Sequence, residues 1–220
     1  MTDTLALQRL LTWLSPAFPV GAFAYSSGLE TAIATGRTID AQSVRDWIAG
    51  SLSHGGLHND AILMAQAWRV FADGPALAEL AELALALISA RERHEETLIT
   101  GQAFRLAANA WPDPVLARLP AQCPYSIAVG AVAAAHGVAL GPTLIAFLTA
   151  ACHSQVSVAI RLVPLGQTDG LRIMAGLEPM VAARAELAQQ AGLAQLGGIG
   201  YAADIAAMAH ETLQPRIFRS

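Results

Sequence analysis

The 220-residue sequence contains few charged and few aromatic side chains, which make up 14% and 6% of it. The shortage of aromatic residues, together with abundant alanine and leucine, favours helices over sheets. A net charge of −4 without a basic cluster excludes nucleic acid as the main partner, because phosphate binding depends on arginine and lysine. So little charge indicates either an extensive core or an apolar surface for partner proteins.

Cysteine is also scarce, since Cys123 and Cys152 are the only two. Two cysteines cannot frame a disulfide scaffold, and they are typical of a protein in a reducing cytosol. The first residues, Met1 to Thr4, include no basic residue of the kind that begins a secretory signal. These observations predict a cytoplasmic protein.

A long segment lacks charge altogether, because no Asp, Glu, Lys or Arg occurs between Gln122 and Arg161. This segment is longer than the roughly 20 residues that a membrane span needs, so a membrane-associated helical protein is one alternative. However, prolines, glycines and histidines interrupt it, and the basic residues near its ends do not follow the positive-inside pattern. We therefore predict two buried apolar helices, at about 123–137 and 142–162, in the centre of the fold.

The remaining patterns predict a single domain over residues 1–220, because no repeat or low-complexity linker divides the chain. About nine helices and no convincing strand indicate an all-α bundle, with a flexible tail from about residue 213. Asp40 is expected to cap one helix, Gly36 to end a short one, and Glu178-Pro179 to begin another. The mixed charges of residues 91–96 are typical of a solvated helix face.

Catalytic patterns are missing. The sequence has no phosphate loop, no serine nucleophile elbow and no pair of Glu-x-x-His sets. His54 and His58 have the spacing of metal ligands on one helix face, but Gly55-Gly56 weakens a helix there. A metal-dependent helical enzyme that uses His54, His58 and Asp60 is a further alternative, although Asp60 fits a helix cap better. The favoured prediction is a binding protein with no cofactor and no catalytic residue.

Residues 15–30, SPAFPVGAFAYSSGLE, form the most informative segment. Pro16 and Pro19 prevent a continuous helix, while several large apolar side chains predict an irregular segment that packs against the fold. Ser27 and Glu30 have the spacing of a capping box at the start of the following helix. This segment resembles the N-terminal signature of the urease accessory protein UreF family, and the blocks RLVPLGQTDG (161–170) and HETLQPRIFRS (210–220) resemble the same family.

The resemblance implies a non-enzymatic, all-helical, cytoplasmic protein that dimerises and helps to insert nickel into apo-urease. It implies binding to a UreD-type scaffold protein, also called UreH, and recruitment or regulation of a UreG-type GTPase. It further implies that the C-terminal region contacts the scaffold, that Arg216 engages the GTPase, and that Arg161 affects the fidelity of activation. The positions that match the family's blocks, and for which partner contacts are expected, are Tyr25, Glu30, Arg161, Gln167, Asp169, His210, Glu211, Arg216, Phe218, Arg219 and Ser220.

The residues also allow structural roles for some of these positions. Arg161 ends an apolar helix, where a cation is favourable, and Asp169 can cap the next turn. The tail departs from the family pattern at Gln214 and Pro215, and it is expected either to fray or to become ordered on a partner. Ile145 and Thr149 replace bulkier residues that serve dimerisation in some members of the family.

Overall fold

Helices dominate the computed structural model, which describes residues 4–220. The predicted all-α class is confirmed, since residues 4–220 contain eleven α-helices and no strand, although the expected count of about nine was too low. Residues 1–3, on which the absence of a signal sequence was partly argued, lie outside the described part. Two 3-10 turns, Ala22–Ala24 and Leu193–Gln195, accompany the helices. The helices are α1 Thr4–Trp13, α2 Leu29–Ala34, α3 Ala41–His54, α4 Gly56–Arg69, α5 Gly74–Ala86, α6 Arg91–Ala108, α7 Val115–Arg118, α8 Tyr125–Ala135, α9 Leu140–Leu162, α10 Gln167–Gln190 and α11 Tyr201–His210.

The centre of the fold is α8, where every residue from Ser126 to Ala133 is buried. Its small side chains let it approach α4 and α6 closely. A Cβ atom on Gly130 would clash with the backbone oxygen of Met64, and one on Gly101 of α6 would clash with that of Cys123. Glycine at these two positions therefore sets the spacing of the helices around the core.

The second apolar helix, α9, is buried on one side only. Phe147 and Cys152 belong to the core, whereas Ile145 is 45% exposed. By length and composition α9 is the one helix in residues 4–220 that is able to cross a membrane, and half of its most apolar window is buried within the fold. Core helices of soluble proteins meet the same test.

Several predicted helix boundaries are confirmed. Asp40 and Ser43 form a reciprocal capping box at the start of α3. Gly36 follows α2 with a φ of 72°, the left-handed conformation expected of a stop residue. The predicted start at Glu178-Pro179 was wrong, because Pro179 lies inside the continuous helix α10. Pro179 and Ala175, whose carbonyl loses its amide partner, are both exposed, so water can solvate the break.

Candidate functional site

The C-terminal segment, residues 211–220, folds back over the loop that precedes α2. The backbone amide of Arg219 donates to the carbonyl oxygen of Ala24 at 2.8 Å, and that of Ser26 donates to the carbonyl oxygen of Ser220 at 2.7 Å. The Ser26 hydroxyl donates to the same oxygen of Ser220. A flexible tail from about residue 213 was predicted; the segment lies packed here, and its mobility stays a prediction.

Glu30 is the main anchor of this segment. Its carboxylate accepts hydrogen bonds from the backbone amides of Ile217, at 2.7 Å, and Phe218, at 3.0 Å. It also faces Nε2 of His210 at 2.9 Å. Burial raises the pKa of Glu30, but the hydrogen bonds from His210, Ile217 and Phe218 outweigh that effect and hold it below its usual range.

The predicted capping box between Ser27 and Glu30 was therefore wrong. Gly28 is the N-cap of α2 and makes no side-chain cap, and the Glu30 amide donates to the Ser26 hydroxyl instead. The Glu30 carboxylate points towards the C-terminal segment because His210 and two backbone amides are stronger partners than a single amide at its own helix end.

His210 lies between two carboxylates and is fully buried. Its Nε2 faces Glu30, and its Nδ1 lies 2.6 Å from Oε2 of Glu92 on α6. An ionised carboxylate only accepts hydrogen bonds, and an imidazole donates from both nitrogens only when it is protonated. The other oxygen of Glu92 accepts a 2.6 Å hydrogen bond from Arg216. Two carboxylates, one imidazole and one guanidinium thus form a connected group, which we call the tail cluster: Glu30, Glu92, His210 and Arg216.

A second charged group lies one turn further along α6. Glu96 accepts a 2.8 Å hydrogen bond from the Ser220 hydroxyl and pairs with Arg93 at 2.5 Å. Arg93 also lies 3.8 Å from Asp60 of α4. Desolvation raises the pKa of Asp60, and the opposing effects of Arg93 and of a hydrogen bond from Ser126 only reduce the shift.

These charges line a cavity of about 160 Å³ between α4, α6, α8, α9 and α11. Tyr25 and Gln155 face it as well, and Oε1 of Gln155 is buried without a hydrogen-bond partner in the described part of the chain. Gly28 allows α11 to cover the cavity, since a Cβ atom there would lie 2.8 Å from the amide nitrogen of Ala207.

Arg161 joins the same region from the end of α9. Its guanidinium carbon lies 5.7 Å from the centre of the Phe218 ring, and Phe218 is only 4% exposed. Arg161 therefore makes a cation–π contact with the C-terminal segment from the helix end that its charge is expected to stabilise. Because of this contact, residues from all three sequence blocks meet on one side of the fold.

Other candidate residues lie outside the tail cluster. Gln167 is exposed at the start of α10, where Asp169 caps the helix by accepting from the Gly166 amide and pairs with Arg172. Glu211 pairs with Arg91 on the surface. The side chain of Arg219 is exposed, and only its backbone has a described role in fixing the segment.

Sequence analysis missed Glu92, Arg93 and Glu96, because residues 91–96 were interpreted as a solvated face. Glu92 is in fact buried, and the other two are partly buried. A signal was present: steps of four residues backward along α6 from Phe104 pass through Thr100 to Glu96 and Glu92. The inward face of α6 thus continues into the charged N-terminal turns of the helix.

The alternative metal site is not assembled. A helix break at Gly55 places His54 at the end of α3 and His58 in α4, where its Nε2 lies 3.1 Å from the Gln195 carbonyl oxygen. Asp60 was expected to cap a helix, but this was wrong, because Asp60 lies within α4. Within residues 4–220 no group of three or more His, Cys, Asp or Glu side chains is arranged to hold a metal ion.

Fold and site together define an all-α protein whose C-terminal segment is held against an N-terminal loop by a buried cluster of charges. The family model UreF matches residues 38–178 of the chain. The urease accessory protein UreF of Rhizobium etli is 51% identical over 98% of this chain and 96% of its own length, and that of Mesorhizobium japonicum is 48% identical over the whole of both. The corresponding protein of Agrobacterium fabrum is 50% identical over 98% of this chain and 96% of its own. The chain therefore belongs to the UreF family.

Proposed function

We propose that this chain is a non-enzymatic maturation factor for urease in the cytoplasm. It binds a UreD-type scaffold protein and, on that platform, recruits or regulates a UreG-type GTPase that delivers nickel to apo-urease. The relatives' printed name, urease accessory protein, supports the urease part of this proposal. The observation that carries the scaffold part is the meeting of the three sequence blocks at the C-terminal segment.

The chemistry of that side suits a protein partner. Ile217 is 72% exposed although its neighbour Phe218 is buried, and the helix before it exposes Tyr201, Ile205 and Met208. Arg216 and Arg219 flank Ile217. Exposed apolar groups beside arginines are typical of interface centres, where each buried side chain contributes through desolvation and the guanidinium binds carboxylates.

A different surface supports the proposed homodimer. An open groove of about 590 Å³ runs between α1, the loop at 15–23 and the outer side of α9. Leu11 and Phe23 are exposed along it, and Ile145 is exposed on α9 next to Ala146 of its lining. An apolar surface of this kind is unusual on a monomer, and a second copy of the chain would cover it in an isologous contact.

The experiment that tests the scaffold proposal is co-expression with the host's UreD-type protein, followed by size-exclusion chromatography with light scattering. A stable complex of two copies of each chain is the expected result. A lone monomer that ignores the UreD-type protein would contradict the proposal. For the dimer contact, Ile145→Arg should shift the mass to one copy, whereas Leu171→Arg, at a more exposed apolar position on α10, should not.

The GTPase contact is tested with Arg216→Ala, which should weaken recruitment of the UreG-type protein by tenfold or more if a desolvated charge contact is lost. Arg172→Ala is the matched control, because Arg172 pairs with Asp169 at the surface and lies outside the tail cluster. Circular dichroism should show unchanged helicity in both variants. Normal recruitment by Arg216→Ala would contradict the assigned role.

A further inference from the structure

His210 connects three separate parts of the chain. It is the last residue of α11, and its ring reaches α2 through Glu30 and α6 through Glu92. Neither carboxylate is bound by His210 alone. Glu30 also holds the amides of Ile217 and Phe218, and Glu92 also holds Arg216. The ring thus contacts both carboxylates whose hydrogen bonds fix residues 216–218.

The arrangement requires charge on the ring. Each ring nitrogen faces a carboxylate oxygen, at 2.6 Å and 2.9 Å, so each must carry a proton to avoid two opposed lone pairs. The side-chain exposures of His210, Glu30 and Glu92 are 0%, 6% and 7%. Little water is therefore available to replace a lost hydrogen bond, and a buried carboxylate without its partner is costly.

We infer that His210, as an imidazolium, is the positioning residue for the C-terminal segment, and that loss of its proton releases residues 216–218 from Glu30 and Glu92 and thereby loosens residues 219 and 220. A neutral ring can donate to only one of the two carboxylates, and Arg216 is then the one cation left in the tail cluster. The charged groups around it are Glu30 on α2, Glu92 on α6 and Arg216 in the segment. The next residue, Glu211, is neutralised by Arg91.

The inference deepens the proposed function, because the released segment includes Arg216 and Ile217 of the proposed partner surface. Segment order itself does not depend on that function. It can be measured on the full-length chain alone. A failure of partner binding is therefore a separate result from a failure of His210 to hold the segment against Glu30 and Glu92, which we call the clamp.

The first measurement is hydrogen exchange at the amides of Ile217, Phe218 and Arg219, corrected for the intrinsic effect of pH, from about pH 6 to about pH 9. In the wild-type chain, protection should fall as the pH rises, while protection in α8 stays constant. His210→Gln should lower protection at the acidic end by about thirtyfold or more and remove the pH dependence. His94→Gln is the control, at a partly buried histidine of α6 outside the tail cluster.

Nitrogen NMR of the histidine ring gives a second, independent measurement. Both ring nitrogens of His210 should be protonated at neutral pH, and a neutral tautomer would overturn the inference. Protection of residues 217–219 that does not change with pH in the wild-type chain would overturn it as well.

If His210→Gln fails to fold, Glu92→Gln takes its place. Its side-chain amide can donate to Nδ1 of a neutral ring, so the ring no longer needs its second proton. Protection in that variant should lose its pH dependence while the ring remains. Unchanged pH dependence in Glu92→Gln would contradict the clamp.

The consequence for the proposed function is measured by titration of the UreD-type protein. Wild-type binding should weaken between about pH 6 and about pH 9, and His210→Gln should bind weakly throughout. Equal binding by the wild type and His210→Gln, with exchange confirming a released segment, would show that the segment's order does not control the contact. No binding by the wild type would instead contradict the scaffold proposal and leave exchange to decide on the clamp.

Discussion

Oε2 of Glu30 and Nε2 of His210 lie 2.9 Å apart, although 180 residues separate them in the chain. Glu30 closes the N-terminal signature, and His210 opens the C-terminal block. Because the same carboxylate also holds the amides of Ile217 and Phe218, one acidic side chain joins the end of α11 to the middle of the C-terminal segment. Closing a chain segment of that length costs conformational entropy, which the buried contacts at its two ends must offset.

Replacing Glu30 should destabilise the fold. In Glu30→Gln the side chain keeps its shape, but Nε2 of His210 loses its ionised partner and the new amide group faces the backbone donors of Ile217 and Phe218. Breaking a buried ion pair at one partner costs about 3–5 kcal/mol, and we expect a loss of that order in the free energy of unfolding. Urea denaturation is the measurement.

Glu82→Gln on α5 is the matched control for this prediction, since Glu82 is exposed. It should change the free energy of unfolding by less than about 0.5 kcal/mol. Equal stability of the two variants would contradict the anchoring role of Glu30.

Acid should remove the contribution of Glu30 in a defined direction. Its folded-state pKa lies below the ordinary value of 4.5, so the folded state binds fewer protons there than the unfolded chain. The stabilisation is therefore fully present above pH 4.5 and is lost as the pH falls through the folded-state pKa. The difference in unfolding free energy between the wild type and Glu30→Gln should narrow over that range. A difference that stays constant would show that ionisation of Glu30 is not the cause.

The sequence was sufficient for the fold class and for many helix boundaries, because these depend on local patterns. Asp40 and Gly36 act through their own neighbours, and their roles were predicted correctly. The break at Pro179 was predicted wrongly because the cost of a proline within a helix depends on whether water reaches the freed carbonyl. That exposure is a property of the packed structure.

The site was predictable in its parts but not in its connections. The family blocks marked Glu30, His210 and Arg216, but no local pattern indicates that Glu92 joins them. The capping spacing of Ser27 and Glu30 was misleading for the same reason. The capping interaction is local and contributes little. Glu30 instead binds His210 and the C-terminal segment, and these buried partners come close only in the tertiary fold.

Gly28 should be sensitive to substitution for a reason that Gly36 does not share. Both have positive φ, 83° and 72°, so alanine costs each about 1–2 kcal/mol of backbone strain. Only at Gly28 would the new Cβ atom meet another element, 2.8 Å from the nitrogen of Ala207 and 3.0 Å from the oxygen of Ala203. Gly28→Ala should therefore displace α11, and Gly36→Ala should not.

Limited proteolysis of residues 196–220 separates these two outcomes. Cleavage should accelerate in Gly28→Ala and remain at the wild-type rate in Gly36→Ala. If both glycine variants are cut equally fast, backbone strain rather than contact with α11 explains the effect.

The contact between Arg161 and Phe218 should be measurable as a coupling between the end of α9 and the C-terminal segment. Phe218→Ala removes a buried aromatic ring and should cost about 3–5 kcal/mol of stability. Arg161→Ala should cost much less, because a guanidinium over an aromatic ring at an exposed site contributes about 0.5–1 kcal/mol. Once Phe218 is absent, Arg161→Ala should cost less, because only its effect at the C-terminus of α9 remains. A double-mutant cycle followed by urea denaturation measures the coupling free energy between Arg161 and Phe218. In the control cycle Arg172→Ala takes the place of Arg161→Ala, and the changes in the free energy of unfolding should be additive. Additivity of the Arg161 and Phe218 substitutions would mean that Arg161 serves only the helix end, and its influence on partners would then have to come from direct contact.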